Sequence, residues 1–167
     1  MTDDERMETA DRRASPKEVA AFEASRSDRD RTLDTLHVLE EALGTAAPGR
    51  EEKWLEDVLS DLASLEEAVS SERKESLEPD SLLSMISHDY PRRFGSRVRQ
   101  LRNQHEDITR QVDSLRTQLE EVERDSIDFA DVRQRVEWVI KAIRHRRAKE
   151  TDLVFEAIDL DFGRPES

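Results

Sequence analysis

Leu55, Val58, Leu62, Leu65 and Val69 follow one another at steps of three, four, three and four residues. That spacing keeps one face of an α-helix apolar for about four turns, and such a stripe leaves water only by packing on other helices. The chain uses the same device three more times. Leu33, Leu36, Leu39 and Leu43 form a first row, and Phe129, Val132, Val136, Val139 and Ile143 form a fourth. The third row is the longest: Phe94, Val98, Leu101, His105, Ile108, Val112, Leu115, Leu119 and Val122. No segment alternates apolar and polar residues at period two, so no strand is expected. The rows predict an all-α fold, an antiparallel four-helix bundle with a coiled-coil-like core.

The breaks between rows set the boundaries. Residues 1–15 show no periodicity and are expected to be a disordered or frayed N-terminal extension. Ser15 can cap the first helix, with Pro16 in its first turn, and "APGR" ends it. The second helix is expected from about Glu51 to Leu77. "EPDSLLSMISHDYP" is a connector with one short helix. The third long helix spans about Arg92 to Glu123, and the fourth runs from Asp128, a capping residue, to about Leu160. The bundle thus covers 16–163, and 164–167 is a C-terminal tail.

Charge narrows the partners. The 167 residues include 27 Lys plus Arg against 40 Asp plus Glu, a net charge of −13. Binding a phosphate backbone needs a basic surface, so nucleic acid is not expected as a partner. The absence of cysteine removes disulfides, thiolate metal sites and thiol catalysis. The start, "MTDDERMETADRRAS", is charged and lacks the apolar core of a signal peptide. No apolar run approaches the ~18 residues of a membrane span. A cytoplasmic protein without a membrane partner is expected. Disorder would also suit a composition that is 40% charged and 35% hydrophobic, but the long rows favour packed helices.

Polar residues interrupt these rows. The second row continues past Val69 to Glu72 and then Ser76. The fourth continues past Ile143 to Arg146, Glu150, Leu153 and Ala157, with His145 at the edge of the stripe. In the third row His105 stands where the pattern asks for leucine. His105 lies 21 residues before Ser126, near the turn, and His145 lies 19 after it. Equal distances from a turn mean equal heights in an antiparallel pair, so the two imidazoles are expected to face each other. A buried polar group without a partner costs roughly 1–3 kcal/mol, which favours clustering at one level. Histidines and carboxylates converging inside a bundle suit iron or manganese, and mixed ligation of this kind also suits zinc. His37 fails the height test: it lies 12 residues before Gly49, whereas Glu72 lies 23 after it. It is expected at another level, facing water, and His88 reads as a capping or surface residue.

The stretches "VRQLRNQHEDITRQVDSL" and "VIKAIRHRRAKETDLVFEAIDLDFG" resemble the third and fourth helices of hemerythrin-like, or H-H-E cation-binding, domains. The first is similar to an L-x-x-E/Q-H-x-x-I/L pattern. The second is similar to a histidine followed four or five places on by an acidic residue, then an L-V/L-F/Y-E-A run. A weaker likeness links "LEPDSLLSMISHDYPRRFGSRVRQL" to the connector of bacterial members, and the whole covers about residues 50–163. The resemblance implies His105 and His145 as histidine ligands and Glu150 as the acidic ligand after the latter. In the second helix Glu72 or Ser71 takes the histidine position and Glu75 lies near the glutamate position. The first-helix histidine has no counterpart in "FEASRSDRD". The implied metal set is therefore His105, His145, Glu150, Glu72 and Glu75, an incomplete version of the family's site. The implied cation is iron, mononuclear or dinuclear, with zinc and manganese behind it.

A metal-free alternative competes. Arg144, Arg146, Arg147 and Lys149 surround His145 and would repel a divalent ion unless they turn outward. Arg146 could instead pair with Glu72 or Glu150. The first functional expectation is thus a cation-binding or sensing protein with a degenerate site. The second is a helical interaction or structural module that kept the hemerythrin-like fold without the metal, with an unidentified protein as partner. A redox enzyme on a diiron site is third, and no nucleophile–base arrangement points to other catalysis. The cluster Arg92, Arg93, Arg97, Arg99 and Arg102 reads either as an anion site or as a solvated face paired with acidic neighbours. Trp54 and Trp138 are expected in the core. Oligomeric state is left open.

Overall fold

A computed structural model describes residues 16–45 and 48–162. The expected extension 1–15 with the Ser15 cap, and the tail 164–167, lie outside the described residues. Four long helices and one short one account for nearly all the rest: α1 Pro16–Gly44, α2 Glu51–Leu77, α3 Leu82–Asp89, α4 Pro91–Glu120 and α5 Phe129–Phe162. No strand occurs among the described residues.

Local chemistry explains the helix ends. Gly49 has φ of 86°, a left-handed conformation that glycine adopts without steric cost. Its N–H donates to Glu51 Oε1 at 2.9 Å, which starts α2 in the first residues after the turn. Ser81 caps α3, its Oγ accepting from the Ser84 N–H at 3.2 Å. Pro91 occupies the first turn of α4, where a missing N–H costs nothing. Asp128 caps α5, its Oδ1 accepting from the N–H groups of Ala130 and Asp131 at 3.0 and 3.3 Å.

Side-chain partners show neighbouring long helices running antiparallel. Trp54 reaches Ala42 and Glu72 reaches Thr32, so α2 descends along α1. Arg116 meets Glu66 and Arg102 meets Ser76, so α4 ascends along α2. Arg135 meets Gln118 and Arg97 meets Glu156, so α5 descends along α4. The rows point inward: Leu36, Leu39, Leu55, Leu62, Leu65, Phe94, Val98, Val112, Leu119 and Val136 are fully buried.

The fourth side of the bundle is built differently. Helices α1 and α5 meet through long side chains instead of close backbone approach. Arg133 Nε donates to the Leu43 carbonyl at 2.9 Å, Arg144 pairs with Glu40, and Arg29 reaches Glu150 at 3.5 Å. Three arginines thus strap a seam that apolar side chains would otherwise close.

The core has two parts. A large apolar cluster runs from Leu36, Val69, Ile108 and Ile143 towards the α1–α2 and α4–α5 turns. A smaller one gathers Leu83, Ile86, Phe94, Val98, Leu101, Leu153, Val154 and Ala157 at the other end. Trp54 is buried, with its ring edge-on to Phe129 at 4.7 Å and its indole N–H donating to the Ala42 carbonyl at 2.8 Å. Trp138 departs from expectation and is 72% exposed. Val136, Val139 and Ile140 claim the inner face of α5, and position 138 falls on the outer one.

Candidate functional site

Between the two apolar clusters lies a slab of buried polar residues, with a contribution from each long helix. On α4, His105 separates Leu101 from Ile108; on α5, Arg146 and Glu150 separate Ile143 from Leu153; on α2, Glu72 follows Val69; on α1, Thr32 precedes Leu36. All five side chains are buried. The rows themselves place them there, because the three-four step carries each polar residue onto the same inward face as its apolar neighbours.

His105 is 2% exposed, and its Nε2 donates to the Val69 carbonyl across α2 at 3.1 Å. A carbonyl only accepts, so Nε2 carries the proton and Nδ1 presents a lone pair. That Nδ1 is buried and has no hydrogen-bond partner. Burial pulls the imidazole down to about 3, with the Arg146 and Arg73 charges acting in the same direction against the Val69 hydrogen bond. His105 is neutral at pH 7.

Arg146 is the centre of the slab. Its Nε donates to the Leu101 carbonyl on α4 at 3.1 Å, and its Nη1 to Glu150 Oε2 at 3.1 Å. Glu150 is also approached by Arg29 from α1 at 3.5 Å. Glu72 accepts a hydrogen bond from the Thr32 hydroxyl at 2.8 Å. Its carboxyl is raised, first by burial and then by the Glu150 charge, with Thr32, Arg146 and Arg147 opposing. Half-buried Glu75 is pushed up to about 7 by desolvation and by the charges of Asp28, Glu150, Glu72 and Asp80.

The arrangement corrects the expected ligand set at one position. His145 does not join the slab: its side chain is exposed on the outside of α5. The height deduced from the turn is right, since α5 meets α4 at this level, but adjacent helical residues point about 100° apart. The inward position belongs to Arg146. Glu72, Glu75 and Glu150 lie near enough for their charges to act on one another, and His105 lines the same small cavity as Glu72.

His105, Glu72 and Glu150 are each held by other partners. Among the described residues no group of three or more His, Asp or Glu side chains converges as a donor set. The carboxylate of Glu150 faces two guanidinium groups and that of Glu72 accepts from Thr32, while His105, its Nε2–H on a carbonyl, keeps its Nδ1 lone pair free. The cavity lined by Glu72, His105, Arg146 and Arg147 has a volume of about 10 Å³, room for no more than one water.

Two contributors were missed in the sequence, Thr32 and Arg29. Stepping backwards from Leu36 by four and then three residues reaches them, the same step that found Glu72 and Arg146. His37 and His88 are exposed. The arginine cluster at the start of α4 has partners for several members: Arg97 pairs with Glu156 at 2.6 Å, Arg102 donates to Ser76 and Ser84, and Arg93 lies over the Phe94 ring. No family model, no curated protein and no solved structure matches this chain.

Proposed function

We propose that this chain is a metal-free helical interaction module of hemerythrin-like architecture, in which an arginine-centred polar slab stands where a metal centre would be. One observation carries the reading: the buried Arg146 guanidinium lies between the Leu101 carbonyl and Glu150. A fixed cation there neutralises the carboxylate that a metal would need and repels a second positive ion. With the slab serving to hold the helices together, function passes to the surface. No helix among the described residues is long and apolar enough to cross a membrane; the counterpart this reading expects is a partner protein.

The cation-binding reading keeps one supporting observation, the unpartnered lone pair of His105 Nδ1 near Glu72. Elemental analysis and calorimetric titration with ferrous iron, zinc and manganese separate the two. The interaction reading expects no stoichiometric metal and a melting temperature unmoved by chelator. Stoichiometric uptake that is lost in both His105→Ala and Glu150→Ala overturns it.

A further inference from the structure

At the end of the bundle beyond the slab, α1, α3 and α5 enclose a groove of about 410 Å³, within the range of about 300–1,000 Å³ usual for ligand clefts. Its walls are Val19 and Phe22 of α1, Met85 of α3, and Val154 and Ile158 of α5. Val19 is 44% and Phe22 42% exposed, a costly display for large apolar residues on adjacent positions of one wall. The seam explains why the groove exists. Arg133, Arg144 and Arg29 strap α5 to the part of α1 between Arg29 and Leu43. Past Arg29 no such strap is seen among the described residues, and α3 contacts both helices.

The rim has a sign. Glu23, Asp89 and Asp161 line its edge, against Arg26 as the one cation among the described residues. We infer that this groove docks a basic amphipathic helix of a partner protein, its apolar face on Phe22, Met85 and Ile158 and its Lys and Arg residues on the acidic rim. The inference rests on the interaction-module reading and names the partner's chemistry. An apolar trough between helices takes side chains spaced at i, i+3 or i+4, and i+7, and complementary charge on the rim selects the partner and speeds its approach. The other occupants fit less well. A second copy brings another −13 against the same acidic edge. Residues 1–15 carry five acidic residues against three arginines, with Met1 and Met7 as their only large apolar side chains.

Met85 is a ready reporter, because the chain holds only three methionines, Met1, Met7 and Met85. The full chain is titrated with a Leu/Lys peptide of about four helical turns, patterned for one apolar face, and followed by methionine-methyl NMR. A Leu/Glu peptide of the same pattern and a Leu/Lys peptide of scrambled order are the controls. The expected result is a saturable shift of the Met85 methyl with the patterned Leu/Lys peptide alone. Phe22→Lys, at an exposed position, weakens it at least tenfold, and Trp138→Lys, on a different face, leaves it within twofold. The inference is overturned if Met85 does not respond, responds equally to either control, is unaffected by Phe22→Lys, or shifts with protein concentration before peptide is added. Stoichiometric iron with a responsive Met85 overturns the metal-free slab and spares the groove. A metal-free chain with a silent Met85 overturns the groove and spares the slab.

Discussion

Arg146 Nη1 and Glu150 Oε2 lie 3.1 Å apart, one turn along α5, with both side chains only 6% exposed. Such a pair gains little over apolar residues of the same size, yet breaking it from one side leaves a charge stranded away from water. Arg146→Met should therefore lower unfolding free energy by about 3–5 kcal/mol. Arg146→Met combined with Glu150→Leu should recover at least about 2 kcal/mol of that, a non-additivity expected for partners in contact. Urea denaturation of the four species measures it. Additive losses would mean that the pair does not hold this level together.

His105 gives the slab a pH dependence. Its imidazole protonates near 6.5 when unfolded and only near 3 when folded. Between those values protons bind the unfolded chain preferentially. The neutral, buried ring therefore costs nothing above about 6.5, and stability is lost as pH falls towards 3. His105→Leu, the residue its row would accept, should raise stability near pH 5 by up to about 2 kcal/mol relative to its effect near pH 8. A pH-independent difference would contradict the buried neutral ring.

Glu75 acts in the opposite direction. Its folded carboxyl titrates at about 7 against 4.5 unfolded, so the folded chain keeps the proton longer and acidification through that window favours the fold. Above about 7 the penalty is fully present. Glu75→Gln should stabilise the protein there by about 1 kcal/mol, the value being reduced for solvent screening of a half-buried group. The gain should vanish below 4.5. Thermal melts at the two ends of the window test the sign.

The two tryptophans should report different environments. Trp54→Phe leaves the exposed Trp138, whose emission should be water-like and readily quenched by acrylamide. Trp138→Phe leaves the buried Trp54, whose emission should be shifted to the blue and protected. Equal quenching of both variants would refute the outward placement of Trp138.

The rows were legible because burial follows spacing. The expected Glu51–Leu77 span coincides with α2, and each residue from Val132 through Val136, Val139 and Ile143 to Arg146 and Glu150 faces inward. His145 suits a metal chemically, but the three-four step puts Arg146, not its neighbour, on the inward face. Trp138 was placed by residue type, which says less than position when Val136 and Val139 occupy the inner face. Thr32 was accessible by extending the first row backwards. The Val69 carbonyl as the partner of His105 was not, because a backbone acceptor leaves no mark on composition. Nor was the α1–α5 seam, whose width depends on how far Arg29, Arg133 and Arg144 reach once their helices are in place.

A three-four leucine pattern is blind to its own phase: it matches itself again after seven residues. The slab is not. Sliding α5 by one heptad would carry the Arg146 charge in among aliphatic side chains, away from both Leu101 oxygen and Thr32's neighbour on α2, and would put a hydrocarbon opposite His105. The buried charges thus act as an alignment key, marking the single offset at which four otherwise interchangeable ladders agree.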